Sequence, residues 1–214
     1  MESKKLRIVI ADDHAIVRKG LVQIIAETPD MEVVGEAENG KEAIDKVRDL
    51  KPNVVILDIN MPEKSGWDVL IQIKDEYPEL PVIILSIAPE RDYAVQFFKA
   101  KASGYLNKRS APKELINAIR KVSTGRKYIS PTMADTIAMS FGEDSDNPLH
   151  ESLSPREFQI LCMIGTGKTV TEIADELSVS SATVSSHKSK ILQKMSMKNS
   201  AQLIHYVFQN KLNA

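Results

Sequence analysis

Three short apolar runs in this chain each stop abruptly at a polar group. Leu6-Arg7-Ile8-Val9-Ile10-Ala11 stops at Asp12-Asp13, Asn53-Val54-Val55-Ile56-Leu57 at Asp58, and Pro81-Val82-Ile83-Ile84-Leu85 at Ser86. Each run is too short for a core helix and rich in β-branched residues, the pattern of a parallel strand buried on both faces. Ligands of open α/β sheets bind outside the carboxyl ends of the strands. Three carboxylates and a hydroxyl are therefore expected to converge at one edge of one sheet.

Helical periodicity fills the gaps between these runs. Ala15 to Glu27 carries Ile16, Leu21, Ile24 and Ile25 on a mostly apolar face, and Glu42 to Leu50 does the same with Ala43, Ile44, Val47 and Leu50. Met31 to Ala37 reads as the second strand and Gly104-Tyr105-Leu106 as a short fifth. Further helices are expected over Gly66 to Tyr77, Arg91 to Ala100, and from Ser110 and Pro112 to about Ser123. Five βα units over residues 5–124 predict a five-stranded, doubly wound parallel sheet with helices on both faces.

The pattern changes from Gly125. Residues 125–149 read as a linker with a helix over 131–141, ending in the polar, acidic stretch Gly142 to Pro148. Residues 150–214 carry only helix signals and predict a small all-α domain of four helices. Ser154-Pro155-Arg156-Glu157 is a capping box with Pro at the first helical position, and Asn199 with Gln202 resembles another. Thr171 to Leu177 and Ser181 to Met195, separated by a turn, match a helix-turn-helix.

The overall charge of −1 conceals an asymmetry. Residues 125–153 hold two basic against five acidic side chains, whereas residues 154–214 hold seven against four. A small basic module after an acidic connector admits nucleic acid as a partner. No apolar run approaches the roughly 20 residues a membrane span needs, which points to a cytoplasmic protein with no membrane partner. Cys162, the only cysteine, excludes an internal disulfide and a thiolate metal cluster.

Five motifs in order carry a family resemblance: Asp12-Asp13-His14, Asp58 followed by Met61-Pro62 and Gly66, Ser86, Gly104-Tyr105-Leu106 with Lys108, and Leu153-Ser154-Pro155-Arg156-Glu157. Residues 5–124 resemble the flavodoxin-like receiver domain of two-component response regulators. Residues 150–212 resemble the helix-turn-helix domain of the NarL/FixJ (LuxR-type) group. The resemblance implies a transcriptional regulator that a sensor histidine kinase, or a small phosphodonor, phosphorylates on Asp58. It is not an enzyme in the usual sense, although the receiver would catalyse its own phosphoryl transfer and hydrolysis. The active form would be a homodimer on double-stranded DNA, joined through the helix from Asn199 to Asn210.

Phosphoryl transfer needs a nucleophile, a cation on the phosphoryl oxygens and donors for the remaining oxygens. Asp58, ending the central strand, is the candidate nucleophile. Mg²⁺ prefers a few carboxylates plus waters, here Asp13 and Asp58, with Asp12 acting through a water. By resemblance the carbonyl of Asn60 completes the ligands, Lys108 pairs with a phosphoryl oxygen, Ser86 donates to the phosphate, and Tyr105 swings inward as Ser86 moves. His14 takes the ordinary family role, a partly exposed residue opening the first helix.

Within Ser181 to Met195, Val184, Ile191, Leu192 and Met195 form an inward stripe. The opposite face carries Thr183, Ser185, Ser186, Lys188, Ser189, Lys190 and Lys194, expected to meet DNA in the major groove. The family often has Lys where Ser185 and Ser189 stand, so affinity would rest on the lysines, the helix N-terminus and dimerisation. His187, beside the stripe, reads as a satisfied structural histidine.

Two departures from the family pattern stand out. Lys101 occupies a site that usually holds Gly, where a left-handed residue costs about 1 kcal/mol. Arg109 stands where Asp or Pro is common. A haloacid dehalogenase-type phosphatase needs a second acid two residues after the nucleophile, and Asn60 stands there. An adaptor acting by protein contacts alone stays open on the Ser-rich face.

Overall fold

A computed structural model of the chain describes residues 5–87, 90–131, 134, 148–177 and 179–212. It divides into two compact units, residues 1–90 with 100–134 and residues 91–99 with 135–214.

The first unit is built on a five-stranded parallel sheet ordered β2-β1-β3-β4-β5. The strands are β1 (Leu6–Ala11), β2 (Met31–Ala37), β3 (Val54–Asp58), β4 (Val82–Ser86) and β5 (Gly104–Asn107). Every residue of β3 and β4 is buried, which explains the absence of polar alternation in their sequences. Because β3 lies between β1 and β4, Asp58 ends the central strand, opposite Leu85, while Ser86 ends β4 opposite Asn107.

The helices are α1 (Ala15–Ala26), α2 (Gly40–Leu50), α3 (Gly66–Glu76), α4 (Glu90–Lys99) and α5 (Ala111–Ser123). Leu21 and Ile25 of α1 and Leu115, Ala118, Ile119 and Val122 of α5 cover one face of the sheet with Ile8, Ile10, Val54, Ile56, Ile83 and Leu85. Helix α3 starts where it does because Ser65 caps it, accepting from Asp68 N–H. Position 66 admits only glycine, since a Cβ there would lie 1.8 Å from the Asp58 carbonyl oxygen. Lys101 adopts φ 65°, the left-handed conformation its position in the pattern implied, without the glycine that makes it cheap.

Tyr128 departs from the linker reading of residues 125–149. It is buried in the core, forms a parallel bridge to Gly104 and donates from its hydroxyl to Glu114 at 2.8 Å. The helix expected over 131–141 falls almost wholly outside the described residues.

Besides residues 91–99 of α4, the described residues of the second unit form a 3-10 turn (Leu149–Ser152) and the helices α6 (Pro155–Gly165), α7 (Val170–Glu176), α8 (Ser181–Lys194) and α9 (Ser200–Gln209). The capping box of Ser154 and Glu157 forms as its sequence requires, and Thr169 with Glu172 forms a second. Asn199 caps α9 by accepting from Gln202 N–H, but the Gln202 side chain reaches back to Lys198 N–H. Helices α6 and α9 approach so closely that a Cβ on Gly165 would lie 2.1 Å from Val207.

Candidate functional site

The carboxyl edge of the sheet gathers the residues that the apolar runs pointed to. Asp12 is fully buried, and Asp58 and Ser86 are each 2% exposed. Ligand atoms of Asp12, Asp13, His14 and Asp58 all lie within 4.8 Å of one another. Lys108, just past β5, bridges two of these acids, with Nζ 2.7 Å from Asp58 Oδ2 and 2.9 Å from Asp12 Oδ2. Its main-chain N–H donates to the Ser86 carbonyl at 2.7 Å, which locks the β5 end to the β4 end.

This crowding has an electrostatic consequence. Burial pushes the Asp58 carboxyl up to about 6, Lys108 opposes that shift, and the neighbouring Asp12 charge adds to it. Burial also works against the charge on Lys108, yet hydrogen bonds to Asp12 and Asp58 raise its pKa above the usual lysine value. The ammonium is thus held charged between two carboxylates. Asp58 Oδ1 accepts from Ile59 N–H at 2.8 Å, and a main-chain hydrogen bond from Asn60 also stabilises its anion.

Three carboxylates, of which Lys108 meets only Asp12 and Asp58, suit a hard divalent cation, since one ammonium does not balance them. Asp13 is the most open of the three, with a side chain 34% exposed, so a partly hydrated ion could reach the cluster from its side. His14 opens α1, its N–H donating to Asp12 Oδ1 at 2.8 Å, and its Nδ1 lies 2.6 Å from Asp13 Oδ1. Its ring is 62% exposed, in keeping with the partly exposed place at the helix start that the sequence suggested. Tyr105 is 2% exposed. Arg109, where the pattern was uncertain, donates its N–H to Asn107 Oδ1 at 3.0 Å.

In the second unit α8 buries Val184 and Ile191, with Met195 at its C-cap, and half-buries Leu192. Thr183, Ser185, Ser186, Ser189, Lys190 and Lys194 are exposed, and Lys188 is half-buried. Ser180 caps the helix, accepting from Thr183 N–H.

Residues 8–120 match the family described as response regulator receiver domain, and residues 151–207 match bacterial regulatory proteins of the luxR family. The chain belongs to the LuxR-type response regulators. It is 38% identical to the oxygen regulatory protein NreC of Staphylococcus carnosus over 214 residues, covering 97% of this chain and 99% of that protein. It is 35% identical to the response regulator GacA of Pseudomonas protegens, covering 92% and 93%. Among solved structures it is similar to RcsB of Salmonella enterica serovar Typhimurium bound to the promoter P1flhDC in the presence of a phosphomimetic, with 27% identity, TM-score 0.76 and coverage of 96% of this chain and all of that one.

Response regulator architecture thus joins a receiver to a DNA-binding helix-turn-helix, and three details of this one were not legible in its sequence. Lys194 Nζ lies 2.7 Å from Glu157 Oε2, so a lysine assigned to DNA is tied to α6. Ser189 Oγ donates to the Ser185 carbonyl at 3.0 Å. His187, expected to be a satisfied histidine, has a buried Nδ1 with no hydrogen-bond partner among the described residues. Arg18 is the site neighbour that periodicity missed, because a charged residue on α1 reads as solvent-facing. It is instead 7% exposed, with Nη1 donating to the Asp12 carbonyl at 2.7 Å. No described helix is long and apolar enough to cross a membrane.

Proposed function

We propose that Asp58 is the phosphoryl acceptor and that its phosphorylation switches this regulator on DNA. The observation that carries the reading is Lys108 held between Asp12 and Asp58, a cation already where charge on a transferred phosphoryl group would develop. The donor is a sensor histidine kinase or a small phosphodonor. An Asp58 oxygen forms the new O–P bond as the donor's N–P or O–P bond breaks, and the leaving group takes the electron pair. Hydrolysis reverses the ownership of that bond, with water attacking phosphorus and the Asp58 carboxylate leaving, so the receiver times its own signal.

Asp13, Asp58 and the Asn60 carbonyl would hold Mg²⁺, with Asp12 acting through a water. Bound there, the ion would supply charge neutralisation for the phosphoryl oxygens. Lys108 would pair with one of those oxygens and Ser86 would donate to another, Tyr105 following the movement of Ser86.

The output is binding of a homodimer to double-stranded DNA. Thr183, Ser185, Ser186, Lys188, Ser189 and Lys190 of α8 would form the face that enters the major groove, with Lys194 turned back onto Glu157. Helix α9 would join the protomers, since Phe208 is 72% and Ile204 39% exposed one turn apart on it. The deciding experiment is intact mass of wild type and Asp58→Ala after incubation with acetyl phosphate and Mg²⁺. Addition of about 80 Da to wild type alone, lost at alkaline pH, is expected. Equal modification of the variant would move the acceptor elsewhere.

A further inference from the structure

Arginine is almost never buried unless its charge and its donors are met, and Arg18 of α1 is a buried one. Its Nη2 donates to Glu38 Oε1 at 2.6 Å, its Nε to Glu36 Oε2 at 3.4 Å, and its Nη1 to the main-chain oxygen of Asp12 at 2.7 Å. Two carboxylates already balance the guanidinium charge. What Arg18 delivers to the acid cluster is therefore a fixed hydrogen-bond direction rather than a field.

That direction falls on the one peptide group that matters most for the cluster. The Asp12 main-chain N–H donates to the Ala37 carbonyl at 3.1 Å, and the Asp12 carboxylate meets His14 N–H and Lys108. Its carbonyl oxygen, the remaining polar atom, is the one Arg18 holds. The same carbonyl belongs to the peptide joining Asp12 to Asp13. Asp13 itself has a half-open side chain whose near neighbour, His14, is largely exposed. The aim of the Asp13 carboxylate toward Asp58 thus depends on its main chain, and the plane of that main chain is set by Arg18.

We propose that Arg18 is a positioning residue for divalent-cation binding, orienting Asp13 through the Asp12–Asp13 peptide. This rests on the reading of the acid cluster as a cation site for phosphoryl transfer. Groups that orient metal ligands from behind typically change metal affinity by about 10- to 100-fold when removed. A role confined to packing α1 against the β2–α2 connection would lower stability and leave cation affinity alone.

The test compares the full chain with Arg18→Met, Arg18→Lys and, as a control for loosening α1, Leu21→Val, a buried core position on the same helix. Mg²⁺ is titrated while following the single tryptophan, Trp67, whose preceding residue abuts the Asp58 carbonyl. The Mg²⁺ dependence of phosphorylation by acetyl phosphate is read in parallel by intact mass. Both Arg18 variants should raise the half-saturating Mg²⁺ concentration about ten-fold. Their rate at saturating Mg²⁺ should stay within about two-fold of wild type, because the site is intact once the ion is in place. Leu21→Val should leave the Mg²⁺ midpoint unchanged even where it melts earlier. Wild-type midpoints in both Arg18 variants would reduce Arg18 to a structural tie. A wild-type midpoint in Arg18→Lys alone would show that charge suffices, and would overturn positioning by the guanidinium. If wild type neither responds to Mg²⁺ nor takes up a phosphoryl group, the functional reading of the cluster fails instead.

Discussion

Lys194 in α8 and Glu157 in α6 form an ion pair of 2.7 Å that draws the C-terminal end of the recognition helix onto the helix beneath it. Glu157 is 4% exposed and also serves the capping box with Ser154. Burial alone would raise its pKa, but Lys194 and the Ser154 donors together hold it below the usual glutamate range. With its ammonium on Glu157, Lys194 is a poor candidate for a phosphate contact. Lys188→Met and Lys190→Met should each reduce the salt slope of DNA binding by about 1, and Lys194→Met should leave the slope unchanged while lowering stability by about 0.5–1 kcal/mol. Binding isotherms at several salt concentrations, with thermal melts, decide this. A reduced slope for Lys194→Met would return that lysine to the DNA.

Asp58 carries a cost as a buried carboxylate. Its carboxyl, raised from 3.8 to about 6, binds more protons folded than unfolded between those values. Its contribution to stability therefore falls as pH rises through that window and stays unfavourable above it. Asp58→Asn removes the ionisation, so without divalent cations it should be more stable than wild type by about 1–3 kcal/mol at pH 7.5. Denaturant melts should show this gap closing as pH falls from about 6 toward 4. A gap independent of pH would assign the effect to something other than the Asp58 charge.

Lys74 of α3 sits on the opposite end of the fold and titrates with the opposite sign. It is 7% exposed and donates to the Leu80 carbonyl at 2.6 Å, while burial first, and the charge of Lys127 next, push its pKa down to about 8. A lysine whose folded pKa lies below its unfolded value of 10.5 gains stability as pH rises between the two. Wild type should therefore gain roughly 2 kcal/mol on Lys74→Met between pH 8 and pH 10.5. Paired melts across that range would show a constant difference if the ammonium were well solvated.

Phe208 of α9 is left 72% exposed by the described residues, and a large apolar side chain that open suits a contact between copies. Phe208→Ser should leave the melting temperature within a few degrees, since most of the side chain is already in solvent. It should weaken binding to a two-half-site DNA by about ten-fold or more and leave binding to a single half-site unchanged. Equal losses on both DNAs would place Phe208 outside the dimer contact.

The sheet was legible because burial on both faces leaves only apolar, β-branched runs, and because a polar residue at the end of such a run has few places to be other than the carboxyl edge. Asp12, Asp58 and Ser86 followed from that alone. Arg18 was not legible, and Glu157 only as a capping residue, because the partners that complete their burial, Glu36 and Glu38 for one and Lys194 for the other, are distant in sequence, and periodicity assigns such charged residues to solvent. The Lys194–Glu157 pair was hidden for the converse reason. Lys194 lies at the flank of the exposed face, where helical spacing cannot tell a side chain that reaches DNA from one that reaches back to its own protein. Tyr128 was read with the connector because nothing local marks the bridge it makes to Gly104.

All five strands run the same way, so the acid cluster is assembled from four places spread along the chain, at residues 12 and 13, 58, 86 and 108. No fragment of the receiver contains a partial version that works. During synthesis, Asp58 leaves the ribosome long before Lys108, and until β5 is seated beside β4 the cation that braces Asp58 is missing. On the proposed reading of Asp58, a phosphodonor would therefore meet an acceptor only on a finished receiver, and the order of strands in the sheet would act as proofreading against signalling through incomplete chains.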